Sequence, residues 1–171
     1  WSAGNTSPIL FQAGERTLLG MSLWQGQVAL DAADGRPVWK RSSEGEKGQL
    51  VASDGHVLIN APEPVLCRIK SDGSLEELWK NANLALGCYP QAVILSGRLY
   101  RVTDKEGLIV FDLATGRELQ RWNGGRTGGS LVAADGMLYH IGFGGATKGD
   151  HRVTLLRPTA EGVEVVSSFE P

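Results

Sequence analysis

Few residues in this sequence have the types and spacing that chemistry uses. Cys67 and Cys88 can be read as two small buried hydrophobes, as a disulfide, or as a metal pair. Neither has a His beside it, and two thiolates are too few ligands for a zinc site. The histidines His56, His140 and His151 are scattered, and no Cys-x-x-Cys-His haem motif occurs. A Ser-His-Asp set can be assembled on paper, but nothing places a Ser on a strand-turn-helix elbow. Two Gly-rich stretches, Gly124-Gly125-Arg126-Thr127-Gly128-Gly129 and Gly142-Phe143-Gly144-Gly145, invite comparison with phosphate-binding loops. The first lacks a Lys-Ser/Thr ending, and neither opens a helical pattern. Both read as connections between strands. Asp31 and Asp112 each stand just before a turn that ends in Gly. There a carboxylate ties the turn through side-chain to backbone hydrogen bonds.

Composition narrows the function classes. Seventeen Lys/Arg against nineteen Asp/Glu leave a net charge of −2, which excludes a strongly basic nucleic-acid binder. At 42% hydrophobic and 21% charged residues the 171-residue chain is a folded domain and not a disordered tail. No apolar run is long enough for a membrane-spanning helix. The 23 glycines, spread along the whole chain, exclude a helix bundle and point to many short strands with tight turns. The chain opens on Trp1 without Met, as expected of a processed product or a piece of a longer polypeptide.

The elements that would position any site follow from an internal repeat. The phrase Val28-Ala29-Leu30-Asp31-Ala32-Ala33-Asp34-Gly35 runs on to Trp39. It returns as Ile69-Lys70-Ser71-Asp72-Gly73, ending at Trp79, and as Val110-Phe111-Asp112-Leu113-Ala114-Thr115-Gly116, ending at Trp122. A worn copy runs from Leu155 to Gly162 and ends at Phe169, and Trp1 fits as the close of an earlier copy. A second marker keeps the same beat: turns at Ala13-Gly14, Asp54-Gly55, Ser96-Gly97 and Asp135-Gly136, each followed by an apolar strand. Two independent markers with one period of about forty residues define four units of four antiparallel strands, the pattern of propeller blades. The third unit predicts strands at Gln91–Leu95, Arg98–Thr103, Leu108–Asp112 and Glu118–Trp122. A competing local reading is a helix from Ser74 to Leu86, with Ser74 as its N-cap. Trp79 falls on the beat and favours a strand. The expected fold is all-β: one segment, 1–171, with blades near 7–42, 43–81, 82–124 and 125–171.

The phrase Ala29-x-Asp31-x-x-x-Gly35-x-x-x-Trp39 resembles the tryptophan-docking repeat of the quinoprotein-like (PQQ-like) propeller family. The stretch from Ser7-Pro8-Ile9-Leu10 to Trp39, with Leu78-Trp79-Lys80-Asn81, is similar to the secreted and periplasmic PQQ-like repeat proteins of bacteria. The family includes quinoprotein alcohol dehydrogenases and a lipoprotein that helps to assemble outer-membrane β-barrels. The resemblance implies a ring of seven or eight blades, of which this chain supplies four. A fragment of a longer chain or two copies closing one ring would complete it. It also makes Asp31, Gly35, Trp39, Trp79, Asp112, Gly116 and Trp122 packing residues, each aromatic filling a gap between blades. The family's enzymes use PQQ beside Ca²⁺, but none of their cofactor residues carries over to a position here.

In a propeller, the loops before the first strand of a blade and between its second and third strands share one rim. That rim would collect Trp24, Asn83, Tyr89, Asp104 and Arg126, with Gln25, Lys47, Lys105, Lys148 and His151 nearby. Such a mixed polar and aromatic set suits a protein, a peptide or a sugar. The expected function is a non-catalytic, extracytoplasmic binding scaffold without a cofactor. The alternatives are part of a PQQ-dependent oxidoreductase, and a carbohydrate- or peptide-binding sensor.

Overall fold

The computed structural model describes residues 7–23, 26–42, 50–59, 63–81, 84, 91–103, 106–122, 124, 127–143 and 151–170. Its described elements are strands β1 (Ile9–Ala13), β2 (Arg16–Leu23), β3 (Gly26–Asp31), β4 (Pro37–Ser42), β5 (Val51–Ser53), β6 (His56–Ile59), β7 (Val65–Ile69) and β8 (Leu75–Lys80). Then follow β9 (Gln91–Leu95), β10 (Arg98–Thr103), β11 (Gly107–Asp112), β12 (Glu118–Trp122), β13 (Thr127–Ala134), β14 (Met137–Phe143), β15 (His151–Pro158) and β16 (Val163–Phe169). They form four-stranded antiparallel meanders β1–β4, β5–β8, β9–β12 and β13–β16, so the fold is all-β. The third sheet has the bounds read from the sequence, except that β11 begins one residue earlier, at Gly107. Leu75–Lys80 is a strand, which disposes of the helical reading of that stretch.

The first hairpin of each sheet turns on two residues. At Asp54-Gly55, Ser96-Gly97 and Asp135-Gly136 both residues have positive φ, between 50° and 71°. That is the type I′ geometry whose twist matches the flanking strands, and Gly at the second position takes it without strain. Each pairing of the third and fourth strands carries a register shift, at Ala29/Leu30, Leu66/Cys67, Val110/Phe111 and Leu155/Leu156. Such bulges sharpen the local twist.

The chain divides into two compact units, Trp1–Tyr89 and Pro90–Pro171. In the first, Phe11, Leu18 and Ala29 of β1–β3 share a core with Val57, Ile59, Val65 and Cys67 of β6 and β7, and Trp39 packs half-buried against it. In the second, Tyr100, Val102, Leu108 and Val110 of β10 and β11 meet Leu131, Leu138, Leu156 and Val163 of β13–β16, with Trp122 against them. Each core is thus made half from one sheet and half from the next. Trp79 is half-buried, whereas Phe169 stands 58% exposed.

Candidate functional site

The repeat phrase builds the same turn in its first and third copies, where an Asp stands four residues before the Gly. The Asp31 Oδ1 accepts from the Ala33 N–H at 2.9 Å, and the Gly35 N–H donates to the Asp31 carbonyl at 2.8 Å. Asp112 Oδ1 accepts from the Thr115 N–H (2.9 Å) and hydroxyl (2.7 Å), and the Gly116 N–H returns to the Asp112 carbonyl. In the second copy Asp72 Oδ1 accepts from the Ser74 N–H (2.9 Å) and hydroxyl (2.6 Å), while the Gly73 N–H donates to the Lys70 carbonyl. These donors hold all three carboxyls below the usual range: the Ala33 amide and then Arg16 for Asp31, and the side-chain hydroxyls of Ser74 and Thr115 for the other two. Gly35 and Gly116, with φ of 73° and 70°, close turns that a side chain would strain.

Arg16 and Arg98 occupy one register position, the first residue after the hairpin turn. Arg16 gives Nε and Nη2 to Asp31 Oδ2 (2.9 and 2.7 Å) and Nη1 to the Asp72 carbonyl at 2.8 Å. Arg98 places Nη1 3.6 Å from Asp112 Oδ2 and gives Nη2 to the Ala160 carbonyl at 2.9 Å. A planar guanidinium can serve a carboxylate on its own sheet and a turn on the next at once. Two glutamines add a second tie. Gln91 Oε1 accepts from the Leu131 N–H, and Gln120 brackets the Val163 peptide group, accepting at 2.7 Å and donating at 3.4 Å. Sequence reading missed these four residues. Arg in the first position after the turn was the only visible signal, and it shows in two of the four copies.

The antiparallel register sets which strand ends lie together in a sheet. In β9–β12, Gln91, Thr103, Gly107 and Trp122 mark one end, fixed by the pairs Val102↔Gln91, Thr103↔Gly107 and Leu108↔Trp122. The candidate contacts Trp24, Asn83, Tyr89, Asp104 and Arg126 lie outside the described residues, as do Gln25, Lys47, Lys105, Lys148, Cys88 and the side chain of His151. Cys67 is a buried free thiol, pushed by burial up to about 11. His140 is buried in β14, its ring edge-on to Trp122 at 5.7 Å, and His56 Nδ1 meets the Asp54 carbonyl at 2.7 Å. Among the described residues no three His, Cys, Asp or Glu side chains converge on a point that could hold a metal.

Comparison with known proteins decides the family. A PQQ-repeat family model described as "Outer membrane protein assembly factor BamB" matches residues 24–138. This chain belongs to the BamB-like PQQ-repeat family. Among solved structures, BamB from Moraxella catarrhalis superposes with a TM-score of 0.65 at 15% identity, over 98% of this chain and 50% of that one. The computationally designed Ika8 protein gives 0.60 at 13%, over 94% and 48%. The quinohemoprotein alcohol dehydrogenase ADHIIG from Pseudomonas putida HK5 gives 0.60 at 14%, over 99% and 34%. At these identities the likeness is one of fold, a β-propeller built from PQQ-like repeats. The chain spans half or less of the length of these structures. No protein of curated function matches the sequence. Among the described residues no helix is long and apolar enough to cross a membrane.

Proposed function

We propose that this chain is a propeller segment that works as a non-catalytic, extracytoplasmic binding scaffold for a protein partner in outer-membrane protein assembly. The observation that carries this reading is the family match over residues 24–138, whose description is an assembly factor for outer-membrane proteins. Rigid four-stranded sheets with tied turns suit such work, because they fix loops on one rim without having to move them. In the same reading the four sheets are consecutive blades, with boundaries near 42/43, 81/82 and 124/125. Trp39, Trp79 and Trp122 serve as docking residues, and Trp24, Asn83, Tyr89, Asp104 and Arg126 supply the partner-facing rim. Deleting the encoding gene in its bacterial host tests the function. Lower levels of outer-membrane proteins, restored by the wild-type gene but not by a Trp24→Ala/Tyr89→Ala/Arg126→Ala form of equal abundance, are expected. Unchanged levels after deletion would refute it.

The oxidoreductase alternative has the fold of the alcohol dehydrogenase behind it and nothing more specific. Asp31, Asp72 and Asp112 give Oδ1 to their own turns, and Oδ2 of Asp31 and of Asp112 faces Arg16 and Arg98, so these three carboxylates are engaged within the fold. Absorbance and dye reduction after adding PQQ and Ca²⁺ decide it. Glycan and peptide arrays decide the sensor alternative.

A further inference from the structure

The connections between the second and third strands differ from sheet to sheet in what adjoins them. Residues 24–25 join β2 to β3, and residues 104–106 join β10 to β11. Beside each of these two connections the second strand carries a buried hydroxyl. Ser22 is 6% exposed, and its Oγ accepts from Gln27 Nε2 at 3.0 Å across the last pair but one of β2 and β3. Thr103 is 2% exposed and closes the β10–β11 ladder opposite Gly107. In the other two sheets the second strand ends on Ile59 and on Phe143, which bring no polar side chain. The five partner-facing candidates include one residue from each of the first two connections, Trp24 and Asp104, and none from the other two. Burial of a hydroxyl costs stability unless it is bonded, so its placement here needs a physical reason.

At Thr103 the bonds supply that reason. Its Oγ1 accepts from the Glu106 N–H at 3.0 Å and donates to the Gly107 carbonyl at 3.4 Å. One hydroxyl thus holds the two residues through which the chain re-enters the sheet. Gly107 takes a φ of 77°, a turn that a side chain would strain. Glu106 is held a second time through its carboxylate, which pairs with Arg121 of β12. Arg121 is itself fixed, giving Nε and Nη2 to the two oxygens of Glu118 at 2.6 and 2.8 Å. The sheet has no need of an oxygen at position 103, since a valine would fill the same space; the oxygen serves the connection. We propose that Thr103 is a positioning residue for the partner-facing rim, its hydroxyl fixing the point at which the connection bearing Asp104 and Lys105 returns to β11. A connection fixed in advance loses less conformational freedom when a partner docks. The proposal rests on the scaffold reading, because a positioned rim has work to do only where a partner meets it.

Two variants test it. Thr103→Val keeps the volume and removes the hydroxyl, whereas Thr103→Ser keeps the hydroxyl and removes a methyl. Each takes something of similar size from the fold, so a merely structural Thr103 would make them alike. Circular dichroism is expected to show the strand spectrum in both. In hydrogen exchange read by mass spectrometry, the peptide spanning residues 103–107 is expected to exchange about tenfold faster in Thr103→Val and at the wild-type rate in Thr103→Ser. In the bacterial host lacking its own copy of the gene, Thr103→Ser at wild-type abundance is expected to restore outer-membrane protein levels. Thr103→Val at the same abundance is expected to leave them about twofold lower. Equal exchange in the two variants, or equal restoration by them, would overturn the proposal. The two possible failures are told apart by the deletion itself. Deletion without effect removes the scaffold reading and this proposal with it; deletion with an effect that both variants repair equally removes this proposal alone.

Discussion

Tyr100 is a sharp test of how the second core is packed. Its ring lies fully buried among Val102, Leu108, Val110, Leu131, Leu138, Leu156 and Val163, and its hydroxyl has no hydrogen-bond partner among the described residues. Burying a hydroxyl without a partner costs about 1–3 kcal/mol. Replacing Tyr100 by Phe removes that cost and leaves a void of only one oxygen atom, so Tyr100→Phe is expected to stabilise the fold by about 1 kcal/mol. Thermal unfolding would register this as a rise of about 2–4 °C, and urea titration as a higher midpoint at unchanged slope. Alkaline pH gives an independent signature. Burial raises the phenol above its ordinary value of 10.0, so ionisation favours the unfolded chain. The Tyr100 contribution is intact below pH 10, and it is lost as the pH rises above that value. Wild type is therefore expected to lose stability more steeply above pH 10 than Tyr100→Phe. A loss of more than about 1 kcal/mol in the variant would refute the reasoning, because it would mean that the hydroxyl is well bonded.

Other expectations follow from the same structure. Cys67, raised by burial from 9.0 to about 11, favours folding below pH 9 and progressively less as the pH climbs through 11. Cys67→Ala is expected to flatten the stability curve over that window in urea titrations. Gln120→Ala strips both bonds from the Val163 peptide group and is expected to cost about 1–3 kcal/mol, read by thermal melting. Trp39→Ala removes a half-buried indole from the first core and is expected to cost about 2–3 kcal/mol, less than a fully buried aromatic. A cost below about 1 kcal/mol would argue against the docking role proposed for that residue.

The strand plan was legible because its signals are local. Asp54-Gly55, Ser96-Gly97 and Asp135-Gly136 announce two-residue turns through the one backbone geometry they favour. Trp79 on the common beat placed β8 against a helix-like local composition. Which face meets which neighbour is not local, and there the reading was thinner. The ties from Arg16 to the Asp72 carbonyl and from Gln120 to Val163 join residues 56 and 43 positions apart, so no window of sequence displays them. His140 read as packing or solvated; burial and the edge of Trp122 make it packing. Phe169 keeps the rhythm of the repeat yet stands 58% exposed, because rhythm reports the position of a side chain along its strand and not its burial. Loop order alone assigns the rim residues, which lie outside the described residues.

The sharing of each core between two sheets makes the position of a chain break matter more than its extent. A nick between Ser42 and Val51, or between Trp122 and Thr127, sunders one interior, and the released sheet takes half of it away. The junctions after β4 and after β12 thus behave as the inside of a single fold, since each joins the two halves of one interior.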